Sequence, residues 1–274
     1  MKVVLFCGGM GTRLREYSDD LPKPLVPIGQ RPILWHLMRY YAHFGHKDFI
    51  LCLGYKAQKI KEYFLNYNPD IAGDFTLSKG KALSASRDTD VPDWNITFVD
   101  TGVKANVGMR LMLAKKYLEG EDMFLANYAD GLTNLDLNLM VNEFKATNKV
   151  AAFVCALPSQ SFHVVTLDEK RSVKKVTYVR DAGVIVNAGF FVLRKQIFDY
   201  MDFGDELVIQ PFQRLIDNDL LLGYRHDNYW AMDTFKEQQE LTDVFNAGNA
   251  PWEVWKKPDV VEEMAASQRG GTKR

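Results

Sequence analysis

The sequence predicts an α/β fold: a Rossmann-like, open, mostly parallel mixed sheet flanked by helices, with a small β-hairpin elaboration. Three observations carry this. Short continuous apolar runs alternate with segments whose apolar residues recur at helical spacing. The first apolar run ends in Gly8-Gly9, a turn at the carboxyl end of a strand. At 274 residues, 47% hydrophobic and 25% charged, the chain has an ordinary globular composition. A chain of this length buries about three quarters of its unfolded surface.

Residues 3–7 read as a buried strand. Residues 33–44 set Ile33, Leu37, Tyr40, Tyr41 and Phe44 on one helical face, and Gly45 stops that helix. Residues 49–53 form a second buried strand, and 57–67 a helix with Ile60, Phe64 and Tyr67 aligned. Residues 68–93 hold Gly, Pro, Ser and Asp without a period, which marks a functional segment or an interaction arm. Then come a strand over 95–99, a helix over 108–118, a strand over 123–125, a helix over 139–146 and a strand over 150–157. Alternation of this kind predicts a parallel sheet covered on both faces. Beyond it lie a hairpin over 164–179 turning at Asp168-Glu169-Lys170, a strand over 184–193, a helix over 207–216, a strand-like run over 221–230 and a helix over 234–247. Residues 1–262 are expected to form one domain, and the polar residues 263–274 a frayed tail.

Composition excludes several classes of function. Lys plus Arg is 34 and Asp plus Glu is 35, so the broad basic footprint of non-specific nucleic-acid binding is missing. No apolar run approaches the ~18–20 residues of a membrane span. The start of the chain lacks the charged and cleavage signals of a secretory leader. Cys7, Cys52 and Cys155 lie far apart in apolar runs, which suits reduced thiols in a cytoplasmic protein. The five histidines show no zinc spacing.

The strongest local signal is Gly8-Gly9-Met10-Gly11-Thr12-Arg13 after the first strand. Such a turn either cradles phosphate oxygens on exposed N–H groups or simply connects a strand to a helix. It is neither a Walker loop nor a dinucleotide fingerprint, since both of their spacings are absent. Ten residues on, Lys23 is clamped between Pro22 and Pro24, which restricts its backbone and suits a fixed phosphate-binding charge. Asp130 follows a strand at the sheet edge where α/β folds bind ligands, and Asp233 follows Trp230-Ala231-Met232. Taken singly, either aspartate reads as a turn residue or helix cap, and Asp233 is placed to cap the helix it precedes.

These motifs, with Pro32-Ile33-Leu34 opening a helix, resemble the sugar-1-phosphate nucleotidylyltransferases, whose fold is the nucleotide-diphospho-sugar transferase type. The runs Phe49-Ile50-Leu51-Cys52-Leu53-Gly54-Tyr55-Lys56, Val99-Asp100-Thr101-Gly102, Asn187-Ala188-Gly189-Phe190-Phe191-Val192, Met232-Asp233-Thr234 and Ala250-Pro251-Trp252-Glu253-Val254-Trp255 are similar to the glucose-1-phosphate cytidylyltransferase branch. The resemblance implies transfer of a nucleotidyl group from a nucleoside triphosphate, CTP first, to a sugar 1-phosphate. It implies that Gly8, Gly9, Gly11, Thr12, Gly108 and Arg110 contact the nucleotide and that Arg13 holds the triphosphate. It further implies that Lys23 neutralises the transferring phosphate, and that Asp130 and Asp233 bind Mg2+. Tyr128, Arg180 and Asn187 fall on the sugar-phosphate side, and members of the branch are homo-oligomers.

The chain departs from the branch pattern mainly on the sugar side. Ala129 and His163 stand where glycines are usual, Gln210 where a glutamate is, and 177–181 lacks a phosphate-contacting lysine. Ala129 and His163 are expected to add bulk beside the sugar ring, with Arg180 replacing the lysine. Met109 and Pro27 also depart, on the nucleotide side. The readings left open are another phosphorylated sugar or a phosphonate as acceptor, and a non-catalytic binding homologue. Loss of Arg13, Lys23 or either aspartate would mark the last, and none is lost.

Overall fold

The computed structural model describes residues 1–11, 20–67, 75–78, 81–84, 93–159 and 162–256. In chain order its strands are β1 (Val3–Cys7), β2 (Pro27–Ile28), β3 (Arg31–Pro32), β4 (Asp48–Leu53), β5 (Phe75–Ser78), β6 (Lys81–Ser84), β7 (Asn95–Asp100), β8 (Met123–Asn127), β9 (Gly131–Thr133), β10 (Ala151–Ala156), β11 (His163–Leu167), β12 (Val173–Tyr178), β13 (Val186–Arg194), β14 (Leu221–Arg225) and β15 (Tyr229–Ala231). The helices are α1 (Ile33–His43), α2 (Ala57–Leu65), α3 (Val107–Ala114), α4 (Leu137–Lys145), α5 (Gln210–Asp217) and α6 (Phe235–Asn246).

Seven strands make the main sheet, in the order β14-β10-β13-β8-β1-β4-β7. β1 runs parallel to β4 and β8, β4 to β7, and β10 to β14. Only β13 runs against its neighbours β10 and β8. Its amino end therefore shares one sheet edge with the carboxyl ends of β1, β4, β7 and β8, and the site lies along that edge.

Strand alternation divides the core between the two faces. Val3, Leu5 and Cys7 join Leu37, Tyr41 and Phe190 on the α1 face. Val4 and Phe6 join Leu111, Phe124 and Phe198 on the α3 face. Burying each such side chain contributes about 1.5–3 kcal/mol.

α1 is buried well beyond its predicted stripe, at Trp35 and His36 as well. The reason is long-range: Trp252 and Trp255 cover that side, with Trp255 edge-on to Trp35 at 6.0 Å and Trp252 edge-on to His36 at 6.4 Å. His36 Nε2 donates to the Ile28 carbonyl at 3.1 Å, and burial lowers its pKa to about 4.

The expected hairpin is present as β11–β12, pairing His163 with Tyr178. Two predicted elements are divided. The helix read over 108–118 is α3 followed by a 3-10 turn at Lys115–Leu118. The run 221–230 is two strands, β14 beside β10 and β15 beside β9, because His226-Asp227-Asn228 supplies turn residues between them. Of the aperiodic stretch 68–93, β5 and β6 pair with each other; most of its remainder, like the expected tail 263–274, lies outside the described residues. The three cysteines are unpaired. Among the described residues no helix is long and apolar enough to cross a membrane.

Candidate active site

The floor of the site is the turn after β1. Gly8 is buried, and a Cβ there would collide with the Arg110 guanidinium. Gly11 has φ +62, in the left-handed region, and its Cβ would lie 3.1 Å from that of Lys23. Gly9 is exposed. Thr12 and Arg13 lie outside the described residues.

Arg110 sits directly beneath the glycine turn. It is only 4% exposed, and its guanidinium serves backbone carbonyls of three strand ends. Nη1 donates to Leu53 O at 3.3 Å, Gly102 O at 3.0 Å and Thr101 Oγ1; Nη2 donates to Gly8 O at 3.0 Å and Val103 O at 3.5 Å. Burial lowers its pKa from the ordinary arginine value. Arg110 thus forms a bracket beneath the glycine turn, at the floor on which the resemblance expects the nucleotide. Gly108 is buried, and a Cβ there would strike the Asp205 carbonyl, so packing alone already requires glycine at this position.

Lys23 opens a short 3-10 turn, Lys23–Leu25, whose start is Pro22 at φ −70 and ψ 148. Pro22 and Pro24 are buried, which fixes the stem. Its ammonium donates to Asp130 Oδ2 at 2.8 Å and to Asp233 Oδ1 at 2.6 Å. Burial alone would lower the Lys23 pKa, but the two carboxylates outweigh it and the net shift is upward.

The two aspartates meet because β9 pairs with β15. Gly131 stands opposite Ala231, and Met232 N donates to Asp130 O at 3.0 Å, so the residues flanking that ladder converge. The alternative reading of Asp233 as the helix cap is overturned. Thr234 is the N-cap of α6, in a capping box with Glu237, and Glu237 Oε2 also accepts from Asp233 N at 2.8 Å. That leaves the Asp233 carboxylate turned to Lys23. The Thr234-x-x-Glu237 spacing was a usable signal for this role of Glu237. Tyr229 had no such signal: it packs half-buried against Gly131, and desolvation together with Asp130 and Asp233 pushes its pKa up.

Tyr128 and Asn187 lie in contact. Asn187 Nδ2 donates to Tyr128 Oη at 3.2 Å, and Gly189, at φ +74, leaves room for the tyrosine ring. Arg180 is exposed on the turn Val179–Asp181, and no bond among the described residues joins it to that pair. The departures do not crowd a pocket as expected. The Ala129 methyl is fully buried in the α1-side core, with its backbone at φ +64. His163 is exposed on the hairpin against the Tyr178 ring, and Gln210 Oε1 accepts from Glu206 N at 2.9 Å.

Residues 2–231 match the family model described as nucleotidyl transferase. The chain belongs to the nucleotidyl transferase family. It is 35% identical to the glucose-1-phosphate cytidylyltransferase of Salmonella typhimurium, over 93% of this chain and all of the relative. It is 44% identical to the D-glycero-alpha-D-manno-heptose 1-phosphate guanylyltransferase of Campylobacter jejuni, over 77% of this chain and 84% of the relative. The solved structure of a UDP-glucose pyrophosphorylase complexed with UDP-glucose shares the fold, at TM-score 0.65 and 14% identity, covering 90% of this chain and 98% of that one.

For a nucleotidyl transferase, the Asp130–Asp233 pair fits a divalent ion. Both carboxylates already converge on one cation, the Lys23 ammonium. Among the described residues no cluster of three or more His, Cys, Asp or Glu offers a fuller metal cage. Two protein carboxylates suit Mg2+, which keeps waters and phosphate oxygens as its other ligands.

Proposed function

We propose that this nucleotidyl transferase condenses CTP with a sugar 1-phosphate, glucose 1-phosphate first among them, to form a CDP-sugar and pyrophosphate. The acceptor's phosphate oxygen bonds to the α-phosphorus of CTP as the α–β bridging bond breaks, and pyrophosphate carries away the electron pair. The observation that carries this reading is the convergence of Lys23, Asp130 and Asp233, from three distant segments, on one point at the sheet edge.

No protein nucleophile is required, so positioning and charge neutralisation supply the rate. Gly8, Gly9, Gly11 and Thr12 present backbone N–H groups to the phosphates, and Arg13 holds the triphosphate. Lys23 neutralises charge on the transferring group. Asp130 and Asp233 hold Mg2+, which when bound offsets phosphate charge. Tyr128 and Asn187 orient the acceptor, and Arg180 supplies its phosphate with a cation. The free thiols suit a cytoplasmic setting, and the working form is a homo-oligomer.

A second reading keeps the transfer and changes the acceptor, and the likeness to a heptose 1-phosphate guanylyltransferase favours it. A matrix of nucleoside triphosphates against sugar 1-phosphates, read by pyrophosphate release, tests both. CTP with glucose 1-phosphate should turn over. Release only with GTP and a heptose 1-phosphate would establish the second reading, and no release with any pair would overturn both.

A further inference from the structure

Asn127 is the last residue of β8 and is only 1% exposed. Its backbone is fixed on both sides, opposite Leu5 of β1 and Phe190 of β13. Its side chain falls on the α1 face with Leu125 and adjoins the Tyr41 hydroxyl. Asn127 Oδ1 accepts from Ala129 N at 2.7 Å. Ala129 has φ +64, a conformation in which a Cβ is disfavoured, and Asp130 follows it directly.

We propose that Asn127 is a positioning residue for Asp130: its side-chain carbonyl pins Ala129 in the left-handed conformation and thereby aims the Asp130 carboxylate at the point where it meets Lys23. Asn127 acts through Asp130 and not on the reacting groups themselves. The proposal rests on the reading of Asp130 as a site residue, and on nothing about which cation that carboxylate holds.

Three features carry the proposal. The first is burial. Ala129 is 0% exposed, so without the Asn127 acceptor its N–H has no water to turn to, and the turn must rearrange to satisfy it. The second is a comparison within the molecule. On the neighbouring strand β13 the same turn recurs, with Asn187 Oδ1 accepting from Gly189 N at 2.8 Å and Gly189 at φ +74. Glycine adopts that conformation freely, whereas at 129 an alanine must be held there, so the amide of Asn127 has more to hold. The third is leverage. Beyond the turn, Asp130 O accepts from Met232 N at 3.0 Å and Gly131 enters the β9–β15 ladder. Asp130 is thus held between two fixed points, and a rotation at Ala129 moves the carboxylate that meets Lys23 at 2.8 Å.

The test removes the acceptor and keeps the bulk. In the full chain, Asn127→Leu should lower kcat by about tenfold or more, with KM for CTP within about threefold of the original. Its crystal structure should show the Asp130 carboxylate displaced by about 1 Å or more and out of hydrogen-bonding reach of Lys23. Asn127→Thr, whose hydroxyl makes the same turn more weakly, should fold and keep more of kcat than Asn127→Leu. Adding Asp130→Asn to Asn127→Leu should leave kcat no lower than Asp130→Asn alone, because the one residue acts through the other. Adding Ala129→Gly to Asn127→Leu should restore part of the loss, since glycine takes the turn unaided. Phe144→Leu is the control for stability alone: it lies in the same core, but against Arg194, which pairs with Met123 at the other end of β8. It should lower the urea midpoint and leave kcat unchanged. An Asn127→Leu crystal structure with residue 129 and Asp130 unmoved would overturn the proposal, as would losses in kcat that add in the double variant or an equal loss in Phe144→Leu. Full activity of Asp130→Asn alone would instead overturn the reading of the site, and the crystal structure would still decide the role of the turn.

Discussion

Replacing Arg110 tests whether the glycine turn owes its shape to a bracket beneath it. Arg110→Met keeps most of the buried stem and removes the five donated contacts. None of the carbonyls would be stranded. Leu53 O keeps the Thr101 N–H at 2.9 Å, Gly8 O keeps the Tyr55 N–H at 3.2 Å, and Gly102 and Val103 are exposed to water. The loss is therefore that of one or two net charge-assisted hydrogen bonds, about 2–3 kcal/mol, and not the sum of five. Against a typical total of ~5–15 kcal/mol this is large but survivable. For a chain of this size it corresponds to a fall in Tm of roughly 5–10 °C. Urea unfolding and thermal melts measure it directly. If Arg110 acts by shaping the turn, KM for CTP should rise about tenfold or more, with kcat falling less. Arg110→Lys should fall between, since one ammonium cannot span carbonyls on three strand ends. A variant within ~0.5 kcal/mol of the original protein and with unchanged KM would refute the bracket. Lost CTP binding at full stability would instead establish direct contact with the nucleotide.

Four further outcomes are expected. Asp130→Asn and Asp233→Asn should each lower kcat at least a hundredfold with the fold intact by circular dichroism, and full activity in either would remove that residue from the site. Arg180→Ala should raise KM for the sugar phosphate more than KM for CTP, and unchanged kinetics would leave the acceptor phosphate without this cation. Gly189→Ala places a methyl against the Tyr128 ring at a positive φ, so it should destabilise the protein by about 2 kcal/mol or more in urea unfolding; an unaffected midpoint would contradict that packing. Burial holds His36 at a pKa of about 4. An unfolded chain has a histidine pKa of ~6.5, so between those values the unfolded state binds the extra proton. The stability His36 contributes is thus complete above pH 6.5 and is lost as pH falls toward 4, by ~3 kcal/mol in all. Urea unfolding at pH 7.5 and 4.5 should show His36→Leu losing about 2 kcal/mol less on acidification than the original protein.

Much of the fold was legible because its signals are local. The wholly apolar runs 3–7 and 49–53, the Gly45 stop and the Asp168 turn each state their structure within a few residues. Lys23, Asp130 and Asp233 were found for the same reason, each inside a short motif. What sequence missed depends on partners far along the chain. Trp35 and His36 are buried by residues more than two hundred positions away. Arg110 sits where a nucleotide contact would be sought, and only the meeting of three strand ends shows that carbonyls occupy it. Ala129 looked like added bulk in a pocket, but its methyl lies in the core. The division of 221–230 turned on Asp227 and Asn228, two turn-forming residues read as part of one strand.

The capping box of α6 ties the start of a helix to the aim of a carboxylate. Glu237 closes the first turn of α6 and, through the Asp233 N–H, holds the backbone from which that carboxylate reaches the site. Improving an enzyme usually means trading stability against activity, because reactive arrangements carry strain that the rest of the molecule must tolerate. At Glu237 the two demands coincide. A variant that loosens the helix also misdirects the aspartate, and one that tightens it helps both. A survey scored by protein yield and a survey scored by product formed would therefore both single out this position, and neither survey alone would reveal which of its two duties had been lost.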